Sequence, residues 1–322
     1  MQALIGIGFG AGLVSALLFA VVVTRSLLAL AVFMAAPMPV LLASLGWNHR
    51  AGLIAAGVGS LLLLLLFGWP AAAMFAVSIA LPAWWAAYLL LLARRDEAGV
   101  EWYPLGRLLV WTACIASALT LVGAVLLGDG SYGDFIREFE RAAQKMAEAQ
   151  PGLFAELAPG ERNADMADIG RLIANIAPPA SAAVSVLVSV ALLWAAARIV
   201  LASGRLPRPW GGIQQVRIPG MWLAILPAVA VLGLLVGGFA GLGLRSLTAS
   251  LLMAYCLQGL AVIHVLTQGV AGRGGILTGV WLTFVMMPGW PVLLYALVGV
   301  VDSVLDLRSR KAASRPPPPS GG

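Results

Sequence analysis

The side chains that could do chemistry in this chain are few, and their placement says more than their number. Fourteen acidic residues are present, and on hydropathy all of them fall outside the long apolar stretches. His264 is then the one strongly titratable side chain well inside an apolar run. Carriers that couple transport to ions place carboxylates at mid-membrane, because a charge there is costly enough to be kept only for use. Their lack argues against ion-coupled carriage. His264 and Gln268 are four residues apart and share a face if their segment is helical, with Gln258 on another face of the same segment. Such a set can bind a small polar ligand, handle a proton, or hydrogen-bond a neighbouring helix. His264 is only about one turn from the expected helix end, which favours the helix contact. No metal-ligand spacing, nucleophile elbow, phosphate loop or pair of catalytic carboxylates is present. No cofactor is expected, and an enzyme is unsupported.

The elements that must position these residues are transmembrane helices. With 61% hydrophobic and 11% charged residues and a mean hydropathy of +0.95, the composition lies outside that of soluble domains. Apolar stretches recur at 3–23, 27–46, 51–68, 71–92, 107–127, 177–201, 221–243, 247–268 and 276–301. The first eight are each about long enough to cross a bilayer as a helix, whereas barrel strands would be half as long and alternating. The fold expected is an all-α polytopic bundle of eight spans plus a ninth broken or re-entrant segment, interrupted by Pro288-Gly289-Trp290-Pro291. Pro37, Pro39, Pro82 and Pro227 mark further kinks. Freed carbonyls at such breaks line substrate sites in some carriers, which makes Pro288 and Pro291 candidates for a cavity together with Gln258, His264 and Gln268.

Glycine spacing predicts close helix packing. Gly6 with Gly10, and Gly8 with Gly12, give small residues four apart. The context excludes a dinucleotide loop, since no strand precedes them. Gly233, Gly237 and Gly241 draw a similar stripe on the seventh stretch. Cys114 and Cys256, inside apolar runs, read as packing residues.

The domain organisation expected is one membrane domain over residues 1–307 followed by a disordered basic, proline-rich tail, 308–322. A polar insert at 128–176 holds an amphipathic helix over 132–149, capped by Asp134, with Phe135, Ile136, Phe139, Ala143 and Met146 on its apolar face. A second short helix leads into the sixth span at Pro178-Pro179. The net charge of +6 is scattered through short loops as arginine, which suits membrane orientation and not a nucleic-acid partner. Arg50, Arg94, Arg95, Arg107, Arg205, Arg208, Arg217 and Arg273 fall on one side, against Arg25 and Arg245 on the other. That side is expected to be cytoplasmic, with the N-terminus, and a re-entrant ninth segment would bring the basic tail there too. Asp302, Asp306 and Arg308 then lie at the cytoplasmic boundary. An exposed ion pair among them contributes about 0.3–0.5 kcal/mol, anchoring the helix end or docking a partner.

Three stretches resemble the YybS-like family of bacterial multi-pass membrane proteins, a domain family of unknown function. They are Pro37-Met38-Pro39-Val40 followed by Gly46-Trp47-Asn48-His49-Arg50-Ala51-Gly52; Gln258-Gly259-Leu260-Ala261-Val262-Ile263; and Gly299-Val300-Val301-Asp302-Ser303-Val304-Leu305-Asp306-Leu307-Arg308. The family is distantly like the substrate-binding membrane components of energy-coupling-factor vitamin transporters, and like a rod-shape membrane protein. Fold alone does not fix function. The broken helices and the close glycine packing, taken with this distant likeness, point to a bacterial inner-membrane protein that binds or moves a small neutral solute with a separate energising ATPase. The alternative is a non-transporting scaffold in cell-envelope assembly or cell shape, with membrane proteins of envelope assembly as partners. A filled core around Pro288, Gln258 and His264 argues against the solute reading.

Overall fold

The computed structural model describes all residues except 25, 98, 150–161, 210–215, 288 and 314–322. Among the described residues, seven helical stretches are long and apolar enough to cross a membrane: Gln2–Thr24, Leu28–Gly46, His49–Phe67, Trp69–Leu91, Leu105–Leu127, Met166–Ala202 and Gly238–Leu266. Trp222–Leu235, Arg273–Met286 and Trp290–Leu305 are apolar but shorter. The chain is an all-α polytopic membrane helix bundle. It divides into two compact units, one formed by Met1–Thr112, Leu187–Pro219 and Ala254–Gly322, the other by Ala113–Val186 and Gly220–Met253.

The first unit opens with α1 (Gln2–Ala20), α2 (Leu27–Met34), α3 (Pro37–Gly46) and α4 (His49–Phe67). Small residues let α1 meet α4: a side chain at Gly8 would run into the Ala51 carbonyl, and one at Gly12 into that of Ala55. Gly6 and Gly10 have open space beside them, so only one of the two expected glycine pairs makes the close crossing. Where α2 gives way to α3 at Pro37, Ser15 Oγ donates to the Ala36 carbonyl at 2.6 Å. The next crossing is α5 (Trp69–Phe75), a π-helical segment (Ala76–Ala80) and α6 (Leu81–Leu91). Pro82 cannot donate to a carbonyl one turn back, and the chain passes through the wider π register just ahead of it. Val40, Leu45, Ala87, Leu108, Leu193 and Val200 form one core of this unit, and Phe19, Leu63 and Phe75 another. A short antiparallel hairpin, β1 (Ala93–Asp96) with β2 (Gly99–Trp102), precedes α7 (Leu105–Leu127). Hydropathy gives no sign of it, because half of its residues are charged and most are exposed.

In the second unit, α8 (Tyr132–Ala149) packs Phe135 against Ala124, Ala174, Leu242 and Phe239. Ser131 caps α8, its Oγ accepting from the Asp134 N–H at 3.3 Å. Asp134 lies inside the first turn and bonds the Arg137 guanidinium, so it is not the cap. That bond, with the one from Ser131, holds its carboxyl below the usual range. Met146, on the apolar face of the same helix, is exposed. The expected second short helix and sixth span are one helix, α9 (Arg162–Ala202), with Pro178 and Pro179 in its interior.

The seventh and eighth stretches divide differently from their hydropathy. α10 (Trp222–Leu235) stops early, and α11 (Gly238–Leu266) starts on Gly238, whose φ of +65° reverses the chain. Gly233 then packs against the backbone of Arg245, and a side chain at Gly241 would strike the Val236 carbonyl. The glycine repeat therefore serves a tight helical hairpin and not one smooth stripe. Arg245, expected in a loop, lies inside α11. The ninth stretch is also two helices, α12 (Arg273–Met286) and α13 (Trp290–Leu305), followed by α14 (Leu307–Ala313). Gly289, with φ +122°, supplies the break. Pro288 lies outside the described residues, as do 314–322 of the tail, while 308–313 are helical.

Candidate functional site

Polar side chains from three distant parts of the first unit converge where α11, α13 and α14 meet the segment 216–218. The helices cross by glycine: a side chain at Gly259 would overlap the Tyr295 carbonyl, and one at Gly299 the Tyr255 carbonyl. With no side chain between them, the two backbones come close enough for one glutamine to bridge them. Gln258 is fully buried. Its Oε1 accepts from the Ile218 N–H at 2.7 Å, and its Nε2 donates to the Gly299 carbonyl at 2.9 Å and to Ser303 Oγ at 2.8 Å. Both amide hydrogens thus meet protein acceptors.

One turn further along α13, Asp302 meets Arg308 of α14. Its carboxylate accepts from Nη2 at 2.7 Å and from Nε at 3.1 Å, and Arg308 Nη1 donates to the Val216 carbonyl at 2.9 Å. The side chains are only 1% and 6% exposed. This is not the exposed boundary pair that the sequence suggests. The chain turns back at Asp306, whose φ of +47° ends α13 and lets Arg308 reach Asp302; aspartate tolerates that conformation better than most residues. Asp306 also accepts from the Ser309 N–H at 3.4 Å and pairs with Arg217. The bonds from Ser309 and from Arg217 lower its pKa. Gly106 closes the site, since a side chain there would overlap the Arg217 carbonyl.

The remaining candidates are placed elsewhere. His264 holds its Nδ1 at 2.7 Å from the Leu260 carbonyl one turn back. A carbonyl only accepts, so that nitrogen carries the proton. Its ring lies edge-on to Trp281 at 6.2 Å. Gln268 sits in the turn after α11, its N–H on the Val265 carbonyl at 3.1 Å, and so does not share a helix face with His264. Pro291 is buried in the first turn of α13. Sequence reasoning missed Ser303, the backbone of 216–218 and Gly106, because nothing local in the chain pairs residue 217 with 306 or 218 with 258.

Among the described residues no cluster of His, Cys, Asp or Glu could hold a metal ion. Cys256 is buried, and both cysteines are free thiols. The converged groups form a clasp that fixes one loop and three helix ends, with donors and acceptors directed at each other. Neither a curated protein nor a solved structure matches the chain. The family described as Predicted membrane protein (DUF2232) matches residues 13–303, and the chain belongs to that family.

Proposed function

We propose that this protein is a non-transporting membrane scaffold that holds partners of cell-envelope assembly, and that it is not an enzyme. The observation that carries this reading is Gln258. It is fully buried, and its amide is bonded to Ile218, Gly299 and Ser303. A ligand could engage it only by breaking those bonds, and an orphaned buried donor or acceptor costs about 1–3 kcal/mol. His264 is likewise bonded within its own helix. The arginine bias of the short loops supports an inner-membrane placement with the N-terminus in the cytoplasm.

Solute binding with an energising ATPase is the second reading. It is favoured by Ser246 and Ser250, whose buried hydroxyls have no hydrogen-bond partner among the described residues. Gentle purification after in-cell crosslinking separates the two. Recovery of envelope-synthesis membrane proteins is the expected result. Recovery of an ATPase pair, or of a bound metabolite, would overturn the scaffold in favour of transport.

A further inference from the structure

The second unit contains an arginine whose charge has no carboxylate partner among the described residues. Arg245 lies in the third turn of α11. Its Nη1 donates to the Gly233 carbonyl at 3.2 Å and its Nη2 to Asn175 Oδ1 at 3.1 Å, while Nε is buried without a partner among the described residues. Asn175 is itself engaged, accepting from the Tyr132 hydroxyl at 3.4 Å and donating to the Arg171 carbonyl at 2.8 Å. Every partner of Arg245 among the described residues is neutral. The described acids of this unit that form ion pairs serve other arginines: Asp134 with Arg137, Glu138 with Arg141, and Glu140 and Asp168 with Arg171.

Neutral dipoles compensate a partly buried guanidinium only in part, and an unmatched charge in an apolar setting is costly. The two bonds also leave part of its donor fork unused. The surface beside it indicates where an anion would come from. Gly233 leads directly into Leu234 and Leu235, which are 81% and 76% exposed at the end of α10. In a membrane protein such side chains face acyl chains. The positive end of the α11 dipole adds to the same field.

We infer that Arg245 binds the headgroup phosphate of an anionic phospholipid, whose acyl chains lie along Leu234 and Leu235. The site is independent of the scaffold reading. The test is native mass spectrometry of the full chain released from nanodiscs of equal phosphatidylglycerol and phosphatidylcholine. Wild type is expected to retain phosphatidylglycerol preferentially. R245Q is expected to lower that retention about fivefold, the size of one arginine at an anionic lipid surface. R171Q, at a cation already paired with two acids, is expected to retain lipid as wild type does. Equal retention of the two lipids by wild type overturns the inference even if R245Q does not fold. So does unchanged retention by R245Q. A thermal stabilisation by inorganic phosphate in detergent that matches the one from phosphatidylglycerol would make this a free-anion site and overturn the lipid assignment.

Discussion

Removing the Gln258 side chain leaves the Ile218 N–H buried without an acceptor, which costs about 1–3 kcal/mol. Q258A should therefore lower the thermal unfolding temperature in detergent, whereas S303A, which removes one of the two acceptors of the Gln258 Nε2 group, should lower it less. The Asp302–Arg308 pair is expected to behave asymmetrically. D302N leaves a buried guanidinium uncompensated, a loss of about 3–5 kcal/mol. The double replacement D302L/R308L removes both charges and should be less destabilising than D302N; a double variant that is worse than D302N would refute a buried pair. Asp306 makes a pH-dependent contribution. Its pKa is lowered in the folded state by Ser309 and Arg217, so its contribution is present above the ordinary carboxylate value and is lost as pH falls through the lowered one. The stability gap between wild type and D306N, present at pH 7, should close below about pH 4. The residues of this clasp were partly visible in the sequence. Gln258, Asp302, Asp306 and Arg308 stood out because polar groups are rare in this chain. Their burial did not, since the backbone acceptors at 216–218 are distant in sequence.

Helices α12 and α13 show what short elements can and cannot do. At about 1.5 Å per residue, fourteen and sixteen residues reach roughly 21 and 24 Å, less than a hydrocarbon core of about 30 Å. Tyr295 OH donates to the Val280 carbonyl at 3.2 Å and meets Thr283 Oγ at 2.6 Å, so the two helices fold back on each other. The pair is expected to enter and leave the membrane on one side. In a C114A/C256A background, cysteines at Arg273 and Ser309 should label from the same side with an impermeant maleimide; labelling from opposite sides would show a full crossing. G289A, at φ +122°, should destabilise the hairpin by about 1–3 kcal/mol. The proline and glycine run announced a break here. The matching break at Gly238 was hidden, because Leu234, Leu235 and Val236 keep the hydropathy high through the turn. Length and apolarity report the solvent around a helix, whereas a reversal depends on one backbone dihedral.

Over the whole molecule, the orientation suggested by the short-loop arginines can be checked without the misplaced Arg245. Reporters inserted at Gly68 and after Asp129 should report from one side. Reporters at Glu97 and Arg205 should report from the other, and a mixture within either pair would overturn the assignment. The helical, many-span class was legible from composition alone, since apolar stretches of this length have few other uses. The number of full crossings was not, because it turns on where chains reverse. The clasp also sets an order of events during synthesis. Gln258 emerges from the ribosome before Gly299, Ser303 and Arg308, and Ile218 earlier still. Until the last helices follow, the 216–218 segment has neither its glutamine bridge nor its arginine, and the first unit stays unlatched. A chain that stops anywhere between residues 260 and 298 would insert most of its spans and still carry an unmade fastening. Such nascent products should be the ones that membrane proteases clear first, while products ending just after Arg308 persist.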